Sequence, residues 1–91
     1  MAAPDRSAIL SRLVAVIVDQ FAVDAGKISE STSFEEDLDV DSLEWLQLFT
    51  AVEDEFSLTI PDDRLGSIIS VRDAVDTIID LGADDIAGKG R

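Results

Sequence analysis

Residues 37–56 read Asp37-Leu38-Asp39-Val40-Asp41-Ser42-Leu43-Glu44-Trp45-Leu46-Gln47-Leu48-Phe49-Thr50-Ala51-Val52-Glu53-Asp54-Glu55-Phe56. Asp41 is a good helix N-cap, and Glu44 stands three residues on, the spacing of a reciprocal capping pair. A helix is therefore predicted from Ser42 to about Phe56. At about 100° per residue, Trp45, Leu48, Phe49, Val52 and Phe56 gather on one side. Leu46 falls at the edge of that cluster. Leu43 lies nearly opposite it, among Gln47, Thr50 and Asp54.

Upstream, a first helix is predicted from Ser7 to Phe21. Leu10, Leu13, Val14, Ile17 and Phe21 share a face at helical spacing, and Val16 lies off it, partly exposed. A long connection follows from Ala22 to Val40. Gly26 and the cluster Ser31-Thr32-Ser33 are turn signals. Val23, Ile28, Phe34 and Leu38 are too widely spaced for a helix and read as pegs pinning the loop to a core.

Downstream, Pro61 ends the second helix. Asp62 to Ile69 holds one short helical turn or two, interrupted near Gly66. Ser70 and Asp73 form a second capping pair. The last helix runs to about Leu81, with Val71, Ala74, Val75, Ile78 and Leu81 inward and Gly82 as its stop. No segment alternates as a strand. The expected fold is all-α: a small four-helix bundle with three main helices, a short third helix and a long first loop. Residues 1–91 are expected to form a single domain, ordered over 7–81, with 82–91 as a flexible tail.

Composition narrows the function. Apolar residues make up 46% of the 91, enough for a core. The chain has no cysteine and no histidine, which excludes disulfides, thiolate catalysis and the commonest general base. It has 20 Asp and Glu against 7 Lys and Arg, net −13. Nucleic-acid binding and attraction to anionic membranes are thereby disfavoured. Basic protein surfaces are the expected partners. No stretch has transmembrane length and no signal-peptide cleavage site follows the N-terminus, so a cytoplasmic location and a monomer are expected.

Two chemistries bear on residues 37–44. A calcium loop beginning at Asp37 has oxygen ligands at Asp37, Asp39 and Asp41. It then needs glycine and a closing glutamate where Ser42 and Leu48 stand. A catalytic Ser42 needs a base and an oxyanion hole, and neither histidine nor a G-x-S-x-G elbow is present. Ser42 is otherwise an ordinary first-turn serine. Yet Leu43 breaks the amphipathic pattern beside it, and residues 28–63 hold 12 acids and no Lys or Arg. Such a field favours a surface that meets a basic partner.

The stretch Asp37-Leu38-Asp39-Val40-Asp41-Ser42-Leu43 resembles the acyl carrier protein signature D-L-G-x-D-S-L. Ser33-Phe34-Glu35-Glu36-Asp37-Leu38, Val52-Glu53-Asp54-Glu55-Phe56, Ile60-Pro61-Asp62-Asp63 and Ser70-Val71-Arg72-Asp73-Ala74-Val75 extend the resemblance in order, over roughly residues 8–81. The resemblance implies a 4'-phosphopantetheine arm, moved from coenzyme A to Ser42 by a phosphopantetheinyl transferase. It implies thioester-bound acyl cargo passed among an acyltransferase, a ketosynthase and other enzymes of fatty acid or polyketide synthesis, with the chain itself no enzyme. Asp41, Leu43, Glu44, Leu46, Glu53 and Asp54 then form the partner surface. Asp39 departs from the family's usual glycine, and suits a positive φ less comfortably. Trp45 either packs in the core or borders the acyl cavity. Two other readings stay open: an unmodified acidic adaptor, and a calcium-responsive module.

Overall fold

Asp41 caps a helix in the computed structural model, which describes residues 5–82. Its side chain accepts the Glu44 N–H at 2.8 Å, and Glu44 returns a carboxylate to the Asp41 N–H at 3.1 Å. Helix α2 then spans Ser42–Phe56. Helix α1 spans Arg6–Phe21 and α4 spans Val71–Asp80, with the four-residue α3, Asp62–Leu65, between α2 and α4. Among the described residues there is no strand, and the fold is the expected all-α one. Only Gly82 of the expected tail, and only Asp5 and Arg6 before Ser7, lie within the described residues.

Helix α1 packs against both α2 and α4. Its buried line is Ile9, Leu13 and Ile17. The expected stripe through Leu10, Val14 and Phe21 is off by one position, because those three are only partly buried. Residues 9–18 are apolar almost all round, so contact with two neighbouring helices decides which side goes in. Leu48, Phe49, Val52 and Phe56 enter the core from α2, and Val71, Ala74, Val75 and Ile78 from α4. Leu81 is only partly buried. Thr77, not an expected core residue, is buried too, and its hydroxyl donates to the Asp73 carbonyl at 2.9 Å.

α1 and α2 both end on left-handed residues that are not glycine, Ala22 (φ 55°) and Ser57 (φ 54°). The Ala22 N–H closes α1 on the Val18 carbonyl at 2.8 Å. The connection to α2 contains a 3₁₀ turn, Ala25–Lys27, started by Asp24 capping the Gly26 N–H. The rest of the loop is stapled to the start of α4. Ser33 and Ser70 form an antiparallel bridge, in which Phe34 N–H donates to Ile69 O at 3.1 Å and Val71 N–H to Thr32 O at 2.9 Å. Phe34 is thereby held fully buried, while Val23, Ile28 and Leu38 pack at the edge of the core.

Polar contacts tie the same seams. Arg6 bridges Glu30 in the loop and Asp76 on α4. Hydrogen bonds from Arg6 hold the Glu30 carboxyl below its ordinary range. The Ile69 and Ser70 backbone N–H groups likewise lower the Asp73 carboxyl. A carboxylate depressed in the folded state adds stability above its unfolded pKa, about 4, and loses it as pH falls through the folded value. The stability gap between wild type and Asp73→Asn should be largest at neutral pH and close progressively below about pH 4. Urea midpoints across that range measure it. A gap that widens in acid contradicts the linkage.

Candidate functional site

Ser42 is the first residue of α2 and is exposed. The capping work belongs to Asp41, so the serine is spared it, and among the described residues its hydroxyl makes no hydrogen bond. Asp39, two residues before the cap, has φ 54°. The aspartate adopts the left-handed turn that a glycine makes more cheaply.

Beside Ser42 opens a cleft of about 580 Å³. Phe34, Val40, Trp45, Leu65 and Ile68 give it an apolar lining, and Glu35, Asp41 and Ser42 contribute polar groups. Trp45 is both a core contact and a cleft wall. Its ring packs edge-to-face on Phe34 at 5.1 Å and tilted on Phe49 at 4.7 Å, and it also lines the cleft. Leu46, expected at the edge of the core, is 58% exposed and lines the cleft. Leu43 is 63% exposed, as its position opposite the core requires.

Ile69, 65% exposed and lining the same cleft, was not singled out from sequence. The signal was the doublet Ile68-Ile69 ahead of the Ser70 cap. Only one of two adjacent side chains turns inward there, and Ile68 takes the buried place.

The acids of α2 divide by task. Asp54 is exposed. Glu53 is half-buried, and its carboxylate accepts the Ile60 N–H at 2.7 Å, pinning the turn that leads to α3. Glu53→Ala should therefore cost about 1–2 kcal/mol through the stranded N–H, while Asp54→Asn should change stability by under about 0.5 kcal/mol. Equal losses by thermal denaturation would return Glu53 to a purely external role. Among the described residues the arginines pair with Glu30, Glu55, Asp76 and Asp80, and none pairs with Asp41, Glu44, Glu53 or Asp54.

The calcium reading finds no geometry. Asp37 accepts the Ser33 N–H at 2.7 Å and Asp41 caps α2. Among the described residues no three acidic side chains converge as metal ligands.

Residues 11–78 match the family model described as "Phosphopantetheine attachment site". Acyl carrier proteins from Sinorhizobium fredii and Rhizobium meliloti are each 46% identical over 69 residues, 76% of this chain and 88% of theirs. The chain belongs to the acyl carrier protein family. A solved acyl carrier protein from Enterococcus faecalis superposes with a TM-score of 0.72 at 26% identity, covering 87% of this chain and all of that one.

Acyl carrier proteins are carriers and not enzymes, and their domain bears covalent 4'-phosphopantetheine. The family works with a phosphopantetheinyl transferase and acyl-processing enzymes. The residues here fit such a group. An accessible hydroxyl stands where first-turn N–H groups and the helix dipole favour a phosphate. An apolar cleft adjoins it.

Proposed function

We propose that Ser42 carries the 4'-phosphopantetheine arm, and that this carrier shuttles acyl groups between separate enzymes of fatty acid or polyketide synthesis. The observation that carries the reading is the position of Ser42: exposed, without a hydrogen-bond partner among the described residues, and bordering the cleft, in a chain of the phosphopantetheine attachment family. When bound, the arm supplies the thiol that holds acyl groups as thioesters. This explains how a chain without cysteine serves thioester chemistry. The transferase supplies the catalytic groups, so Ser42 needs no base of its own.

The partner surface in this reading is Asp41, Leu43, Glu44, Leu46 and Asp54, with Glu53 sharing its charge while holding Ile60. The acids steer basic docking faces of the transferase, acyltransferase and ketosynthase, and Leu43 and Leu46 add apolar contact. Such contacts are fast to form and weak at physiological salt, as a shuttle requires. The net charge of −13 supports a monomer through self-repulsion between copies. Among the described residues no helix is long and apolar enough to cross a membrane.

The test is incubation with coenzyme A and a phosphopantetheinyl transferase, followed by intact-mass and fragment spectra. A gain of one phosphopantetheinyl group on the fragment containing Ser42 is expected. An unchanged mass, or a gain mapped to another residue, overturns the proposal.

A further inference from the structure

We infer that Trp45 sets the length of acyl chain that the cleft beside Ser42 shelters. The inference rests on the reading of Ser42 as the attachment point.

Trp45 lies three residues after Ser42, one turn into α2 on the side that borders the cleft. Its indole is half-buried and stands at a boundary. It faces the cleft as a lining group, and it touches Phe34 and Phe49, both buried members of the core. Phe34 and Phe49 also meet each other edge-to-face, with ring centroids 6.0 Å apart, so the three rings form a closed cluster. Phe34 and Trp45 line the cleft, whereas Phe49, Leu48 and Val52 belong to the core and do not line it. A chain that reaches past the indole into the core does so at the expense of the indole's contacts with Phe34 and Phe49. Of the remaining apolar lining, Leu46 and Ile69 are mostly in water, and Val40 and Ile68 are buried.

The consequence is a chain-length limit. Each methylene removed from water shifts the sheltered-to-exposed ratio by about fourfold. That gain should accumulate for the methylenes that fit in front of the indole and then stop. Trp45→Leu opens the boundary and moves the stop to longer chains. Trp45→Phe keeps an aromatic wall and keeps the stop near its wild-type place. A merely structural role predicts a uniform loss of stability in Trp45→Leu, with the same dependence on chain length.

Trp45 is the only tryptophan and the chain has no tyrosine, so its emission reports the boundary directly. The experiment loads the full chain with linear saturated acyl-phosphopantetheine of increasing length, checks loading by mass, and reads thioester hydrolysis and tryptophan emission. In wild type, protection from hydrolysis and the blue shift of emission should rise and then level off. In Trp45→Leu, protection should continue to rise by up to about fourfold per further methylene. Superimposable curves for wild type and Trp45→Leu, or a wild-type curve without a plateau, overturn the inference. A parallel titration of unmodified wild type with acyl-pantetheine in solution reads the same emission plateau without any attachment. A plateau there with no mass gain on Ser42 keeps the role of Trp45 and removes the attachment reading. No emission response at any chain length removes the role of Trp45.

Discussion

Ser42→Ala should take up no phosphopantetheinyl group under conditions that load the wild type completely, and should fold indistinguishably from it. The two halves of this result belong together. Many serine substitutions at helix starts destabilise, because the hydroxyl there caps an N–H. Ser70 is such a case: it is the N-cap of α4, and its hydroxyl accepts the Asp73 N–H at 3.4 Å. Ser42 stands one place further into its helix, with Asp41 as the cap, and its hydroxyl has no structural duty among the described residues. Alanine is also the better helix former. The expected stability change is within about 0.5 kcal/mol. Intact mass reports loading, and thermal unfolding with circular dichroism reports the fold. Residual loading in Ser42→Ala would falsify the site. Lost loading with a collapsed fold would leave only a folding defect, and the geometry says that collapse does not occur.

The same contrast marks what local sequence could and could not reveal. Helix α2 was legible to the residue, since its signals are local: Asp41 and Glu44 cap one end, and the spacing from Leu48 to Phe56 defines the inward face. The second capping pair, Ser70 and Asp73, fixed α4 in the same way. On α1 the signal was ambiguous, because several arcs of residues 9–18 are apolar and the choice of Ile9 over Leu10 belongs to the packing. The 3₁₀ turn at Ala25–Lys27 rests on one Asp24 side chain and left no periodic trace.

At the site, the exposure of Leu43 could be read from a single helix, while Ser42 stood out only through the resemblance of residues 37–43 to the family signature. The cleft could not, because it forms where α2 meets residues 65–69, and that meeting depends on long-range contacts. Glu53 is the clearest instance. Its charge and its place on α2 suggested an outward role, while its bond to Ile60 depends on how the chain turns after Phe56. Local signals thus located the helices, and long-range contacts built the cleft beside Ser42.

Phe34→Ala should be the most damaging single substitution for stability, although Phe34 belongs to no helix. Its side chain is fully buried and packs edge-to-face on both Trp45 and Phe49. Truncating a buried phenylalanine costs about 3–5 kcal/mol. A 91-residue chain has a total stability of roughly 5–14 kcal/mol. The expected fall in melting temperature is therefore about 15–30 °C. Leu38→Ala, at a partly buried peg on the same loop, should cost clearly less. The loop adds a second consequence. Phe34 N–H is bonded to Ile69 O, and its carbonyl accepts the Val40 N–H at 3.1 Å, so one residue joins the start of α4 to the approach to Asp41. Losing its ring loosens the cleft wall and the turn before the capping pair together. Phe34→Leu, which keeps most of the volume, should recover most of the stability. Guanidinium midpoints for the three variants decide the matter, and a Phe34→Ala loss below about 1 kcal/mol would show that the loop is a cover on the bundle and not part of its core.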